Sequence, residues 1–172
     1  LFRSTFELVY EDGPRDAEAF MVDPFTGDFY LISKRDESNR LYRVVSPQAG
    51  KTNTLRFELV LPFRYSTSGD ISPDGLQVLV RRYSRPGPTT SMFNAPPETA
   101  ASYWKRKDAS TSLVDLLRKP AEILPLVIEA QGESIAFSWD NRGFYTTTER
   151  GMGAVKIPAA PLTYYAPSEG TK

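Results

Sequence analysis

The sequence predicts an all-β chain built from repeated four-stranded antiparallel sheets, with one short helix near residues 111–119. Three observations predict it. First, a pair of strands joined by a tight polar turn occurs three times. The copies are Ala19–Val22 with Phe29–Ile32 around Asp23-Pro24-Phe25-Thr26-Gly27-Asp28, Ile71 with Leu76–Val80 around Ser72-Pro73-Asp74-Gly75, and Ser134–Phe137 with Phe144-Tyr145 around Ser138-Trp139-Asp140-Asn141-Arg142-Gly143. Pro presets φ, Asp and Asn bond their own backbone, and Gly accepts positive φ, which is the chemistry of tight turns. Second, each pair follows a further apolar run: Phe6–Val9, Phe57–Val60 and Ile123–Val127. Third, the landmarks keep a spacing. Phe6 to Phe57 is 51 residues and Val22 to Ile71 is 49, while Phe137 follows Ile71 by 66 and so carries an insertion of about 15 residues. A period near 50 with two pairs of short strands per unit is the signature of a β-propeller array. Any all-β domain with regular hairpins, such as a sandwich, is the plainer alternative. Two separate landmarks repeating in one register favour the propeller.

The elements follow in order. Residues 1–10 read as the outer strand of a preceding blade. The first unit covers about 11–61: strands at Ala17–Val22, Asp28–Ser33, Arg40–Val45 and Leu55–Leu61, with a polar loop over Ser46–Thr54. The second covers about 65–128. Its inner strand ends near Ile71 and its second strand is Leu76–Tyr83. Arg85-Pro86-Gly87-Pro88 and Ala95-Pro96-Pro97 then impose a long irregular loop over Ser84–Ala101, because Pro lacks the ladder N–H. Ser102–Arg106 resumes the third strand. A helix capped by Ser110 or Thr111 carries Leu113, Val114, Leu116 and Leu117 and stops at Pro120. Ile123–Ile128 is the fourth strand. The third unit covers about 132–166, with strands at Ser134–Ser138 and Gly143–Thr148 and outer candidates at Ala154–Ile157 and Leu162–Ala166. Trp104 and Trp139 read as packing residues, although Trp139 stands at a turn. Tyr164-Tyr165 splits, one ring in and one out, because strand side chains alternate. Three units do not close a propeller, which takes four to eight blades. The reading is therefore part of a six- to eight-bladed propeller, or a subunit that completes a ring with copies of itself. A chain that opens on Leu1 is expected to be a mature or partial one.

Composition narrows the function classes. Lys plus Arg and Asp plus Glu each number 21, so zero net charge gives no support for nucleic-acid binding or electrostatic attachment to membranes. No run of about 18 apolar residues is present to span a bilayer. The chain has no Cys and no His, which removes thiol nucleophiles, disulfides, the usual zinc sites and every His-dependent triad. The compartment stays open, with a secreted setting expected.

The Ser72-Pro73-Asp74-Gly75 turn resembles the repeat of the TolB-type (PD40, WD40-like) propellers, and Asp23-Pro24 with Thr26-Gly27-Asp28-Phe29-Tyr30 resembles the NHL, lactonase and phytase-like propellers. These turns are shared by proteins of unrelated activity, so the resemblance implies fold rather than function. Loops before the inner strands lie at the mouth of a propeller's channel. Here they hold Asp16 and Glu18, then Thr67 and Asp70, then Gln131 and Glu133, with Arg15 beside them. Glu18 and Glu133 occupy equivalent positions, four residues before Val22 and Phe137. Converging carboxylates suit a hard cation such as Ca²⁺. Asp16, Glu18, Asp70 and Glu133 are thus candidate calcium ligands, similar to the calcium centre of lactonase and phytase-like propellers. The plain alternative is that each acid bonds a backbone N–H of its own turn. Arg15, Thr67 and Gln131 are candidate binding residues, Arg15 toward an anion or simply toward a neighbouring carboxylate. Two functions remain. One is a binding or scaffold module for a protein partner, a ligand or the remaining blades, homo-oligomers included. The other is a calcium-dependent hydrolase of phytase-like or lactonase-like type.

Overall fold

A computed structural model of the chain describes residues 3–84, 98–129, 132–148 and 160–167. These residues form three sheets, each a blade-like antiparallel meander. In the first, β2 (Ala17–Val22), β3 (Phe29–Ser33), β4 (Arg40–Val44) and β5 (Thr52–Val60) run in sequence order outward. β1 (Glu7–Tyr10) adds a fifth strand, parallel to β5, at the outer edge. This differs from the expected outer strand of a preceding blade. The reason is the length of β5, which begins at Thr52, inside the expected loop. The edge groups it would leave open are taken by β1 and its flanks. Glu7 N–H donates to Lys51 O at 3.3 Å, Asn53 Nδ2 donates to Glu7 O at 3.3 Å, and Phe57 N–H donates to the Glu11 carboxylate at 2.7 Å.

The second sheet has the order β6 (Ser66–Ile71), β7 (Gln77–Ser84), β8 (Glu98–Lys105), β9 (Glu122–Pro125). β8 starts at Glu98, opposite Ser84, so pairing with β7 extends into the stretch expected to be loop. Residues 85–97, where the Pro-rich loop is expected, lie outside the described residues. The helix α1 (Leu113–Leu117) is capped by Ser112, whose Oγ accepts from Asp115 N–H at 3.1 Å. Ser110 is instead bonded to Asp108, which moves the cap one residue past the expected candidates. The third sheet has the order β10 (Gly132–Phe137), β11 (Phe144–Thr148), β12 (Leu162–Tyr165). The candidate strand at 154–157 lies outside the described residues.

The sheets stack face to face, and alternation along each strand decides what meets what. Between the first two lie Ala19, Met21, Ile32 and Leu41 on one side and Ile71, Val78, Val80, Trp104 and the apolar face of α1 on the other. Trp104 donates its indole N–H to Lys119 O at 2.9 Å, fixing the helix end to β8. Between the second and third lie Leu79 and Ala101 against Ile135 and Phe144, with Phe144 stacked on Tyr165 at 4.7 Å. Tyr164 points outward and pairs with Tyr145, so the adjacent tyrosines do split. Trp104 is buried and Trp139 is 87% exposed at its turn.

Two buried ion pairs pin the stack. Arg106, which follows β8, reaches Asp23 in the first sheet's turn with two bonds, 3.0 and 2.6 Å. Arg81, fully buried in β7, donates to Ser134 O at 2.9 Å, Thr147 O at 3.2 Å and the Glu129 carboxylate at 2.7 Å. Thr146 and Thr163 donate their hydroxyls to the same carboxylate, both at 3.0 Å. A Cβ on Gly132 would stand 1.7 Å from Arg81 Nη2, so only glycine admits this approach. Among the described residues no helix is long and apolar enough to cross a membrane.

Candidate functional site

The inner strands β2, β6 and β10 lie side by side, and each carries the same irregularity. Pairing with the next strand shifts between Ala17 and Ala19, between Ser66 and Ser68, and between Gly132 and Ser134. Each shift is a β-bulge of one extra residue. The extra residues are Glu18, Thr67 and Glu133, all four positions before the landmark residues Val22, Ile71 and Phe137. A bulge re-aims its side chain, and bulges are over-represented next to functional sites. The neighbouring backbone repeats too. Lys34 N–H donates to Asp16 O at 2.7 Å, and one sheet on, Tyr83 N–H donates to Tyr65 O at 3.2 Å. Lys34 and Tyr83 are therefore equivalent positions.

These positions converge. Lys34 Nζ lies 2.5 Å from the Glu18 carboxylate and 3.7 Å from that of Glu133, which reaches it from the third sheet. Tyr83 donates its hydroxyl to Glu133 at 2.7 Å, and the Lys34 ammonium stands 6.0 Å from the Tyr83 ring centre. Side chains from all three sheets thus meet in one cluster. Burial raises the Glu18 pKa; Lys34 opposes that, and Glu133 beside it adds to it, leaving a net upward shift. Burial and the bond to Glu133 push the Tyr83 hydroxyl well up, so it stays protonated and donates.

The expected residues separate into those the fold gathers and those it does not. Glu18 and Glu133 come together, but they hold the Lys34 ammonium between them, where the expected calcium ion would need their oxygens. Asp16 pairs with Arg35 at 3.2 Å. Asp70 lies three residues beyond Thr67, about 10 Å along the strand. It accepts from Ile71 N–H at 2.9 Å and, across to the third sheet, from Phe137 N–H at 2.7 Å. Burial raises its pKa against those two bonds. Among the described residues no three carboxylates gather as a metal site would require. Arg15 bonds Asp12 at 2.8 Å and Asp36 at 2.9 Å, the carboxylate partnership that was the alternative to an anion site. Thr67 is buried, its hydroxyl 3.5 Å from Gly132 O. Gln131 lies outside the described residues. Lys34 and Tyr83 escaped sequence reading, yet they stand 49 residues apart, the spacing of Val22 and Ile71. Laying the repeats over one another would have found them.

No family model matches the chain, and no curated protein matches it. Among solved structures, one described as the crystal structure of a protein from Lactobacillus plantarum is similar over 93% of this chain and 60% of that one, at 11% identity and a TM-score of 0.34. The chain thus spans about 60% of the length of that protein.

Proposed function

We propose that the chain is an arc of a β-propeller that works as a binding and scaffold module, with its recognition surface at the end where the inner strands begin. The observation that supports this is the bulge repeated in β2, β6 and β10, which in the outer two strands brings Glu18 and Glu133 together beside Lys34 and Tyr83. Two carboxylates against one ammonium leave an excess negative charge. The half-exposed Glu18 offers it to solvent. Such a site suits a partner that presents a cationic side chain, which would join the Glu18 carboxylate without displacing Lys34.

The test is a titration of the chain with a short arginine-containing peptide and, separately, with calcium chloride, followed by amide chemical shifts. Shifts centred on Glu18, Lys34, Tyr83 and Glu133 with the peptide, and their loss in a Glu18→Gln, Glu133→Gln variant, are expected. Peptide shifts that survive in the variant, or their absence in the parent, would overturn the reading. A saturable response to calcium alone, with a melting temperature that falls in chelator, would favour the hydrolase reading instead.

A further inference from the structure

The ladder between β4 and β5 stops before β5 does. Its register runs from Arg40 opposite Val60 to Arg43 opposite Arg56, while β5 extends back to Thr52. On that extra stretch β5 keeps β1 as its partner on one side. The other side has lost β4, because Ser46 takes a φ of +49° and gives its N–H to Asp28 at 2.9 Å, which turns the chain away. A non-glycine residue in the left-handed region is uncommon, and this one is held there by a buried carboxylate. Asn53 fixes the far end of the loop. Its amide oxygen accepts from Gln48 N–H at 2.7 Å, and its amide nitrogen donates to Gln48 O at 3.1 Å and Lys51 O at 2.9 Å. The result is a cleft of about 390 Å³ between the end of β4 and the first half of β5.

The lining suits an anion. Three cationic side chains, Arg43, Lys51 and Arg56, line the cleft against one acid, Glu58. Arg43 and Arg56 are register partners, and like charges placed directly opposite on a ladder repel. Their bonds to acids leave capacity over. Arg43 gives Nε and Nη2 to Asp28 at 3.0 and 2.5 Å, while its Nη1 reaches the Glu58 carboxylate only at 4.0 Å. Arg56 is 73% exposed and meets Glu11 at 3.4 Å, an exposed pair of the kind that contributes little. The exposed Lys51 forms no ion pair among the described residues. The backbone adds a donor. Leu55 O and Phe57 N–H are turned to the β1 side, where they bond Glu11 N–H at 3.1 Å and the Glu11 carboxylate at 2.7 Å. Peptide groups alternate sides along a strand, so those of Thr54 are turned to the cleft side.

We infer that this cleft binds a phosphate group, either that of a small polar molecule or inorganic phosphate itself. A guanidinium presents its N–H groups as a fork that matches phosphate oxygens, and charge-assisted bonds of this kind are about twice as strong as neutral ones. A bound phosphate also relieves the repulsion between Arg43 and Arg56, which neither Asp28 nor Glu11 does from its own side of the pair. The cleft leaves room beyond the phosphate, since small-molecule sites begin at about 300 Å³. The hydroxyl-bearing Thr52 and Thr54 line it as well and suit a polar remainder. The cleft lies on the outer strand of the first sheet, with β4 and β3 between it and Glu18 on β2. The inference therefore goes beyond the recognition site proposed above and does not depend on it.

The experiment is a titration of the chain with inorganic phosphate and, separately, with glucose 6-phosphate, at an ionic strength held constant by sodium chloride and followed by amide chemical shifts. Saturable shifts centred on Arg43, Ser46, Lys51, Thr54 and Arg56 are expected with both. A tighter response to glucose 6-phosphate identifies a phosphate ester as the ligand, and an equal or weaker one identifies the free ion; either supports the cleft. Lys51→Gln with Arg56→Gln changes only exposed side chains, so the variant is expected to fold, by circular dichroism, and to bind roughly tenfold more weakly. Arg43→Lys keeps a cation beside Asp28 but loses the fork, and it is expected to weaken binding too, which repeats the test if the double variant fails to fold. Shifts that do not saturate, that sodium chloride alone reproduces, or that the variants leave unchanged would mean an adventitious ion only and would overturn the inference. Saturable shifts centred elsewhere on the chain would overturn it as well.

Discussion

Lys34 is the residue on which the inner-strand cluster turns. Its ammonium balances Glu18 and Glu133, two acids that would otherwise face each other across the stack. A carboxyl whose folded pKa is raised contributes stability that is fully present below its unfolded value and is lost as pH rises through the folded value. Glu18 is shifted that way by burial and by Glu133, against the pull of Lys34. Lys34→Gln removes the opposing charge, so the shift grows and the loss at neutral pH deepens. The expected cost at pH 7 is about 1 kcal/mol, kept small by the partial exposure of Glu18. It should shrink as pH falls toward the ordinary glutamate range. Urea midpoints of variant and parent measured across that range test this, and parallel curves would count against it. Asp28 shows the opposite sign within one fold. Burial pushes its pKa up, but Ser46 N–H and the Arg43 guanidinium outweigh burial and hold it below the usual range. Its contribution is present above the unfolded value and lost as pH falls through the folded one.

At the scale of elements, hairpin turns do two jobs. They reverse the chain, and they carry the contacts that fix one sheet against the next. Asp23 opens the first turn, accepting from Phe25 N–H at 3.0 Å, and the same carboxylate takes Arg106 of the second sheet in a buried two-bonded pair. Arg106→Met leaves that acid buried without its cation, and breaking a buried pair from one side costs about 3–5 kcal/mol. Replacing both partners, as Asp23→Leu with Arg106→Met, removes the orphan and is expected to recover a good part of that loss. A chemical-denaturation cycle of the four proteins measures it. Additive single-site losses would mean the pair is not what joins the two sheets. Gly75 belongs to the same junction: its φ of +74° suits glycine, and a Cβ there would lie 2.7 Å from the Phe25 ring.

For the whole molecule, the three sheets hold one another through faces that alternate along each strand on either side of the bulges. The middle sheet is covered on both sides, by Val78 and Val80 toward the first and by Leu79 and Arg81 toward the third. The far face of the first sheet carries a cluster of its own, with Tyr42, Val44 and Leu55 buried beside Leu8 and Tyr10 of the chain's first strand.

The amino-acid sequence by itself determined the strands, the hairpins and their repeat. Period-two alternation and turn chemistry act over a few residues, so Ala17–Val22, the strand ending near Ile71 and Ser134–Ser138 were legible as equivalent inner strands before their neighbours were known. Tertiary structure decided what the equivalent residues do. Glu18 and Asp70 both read as acids near an inner strand, yet one meets Lys34 at the bulge and the other caps a backbone N–H of the third sheet. β1 found its partner because β5 ran longer than its turn signals implied, and an open edge takes up whatever strand can satisfy it. The calcium expectation rested on carboxylates converging, and only two of the four converge. The charge between them is a lysine from the neighbouring strand end, since the cost of bringing two acids together is met most directly by a cation that the fold already holds in reach.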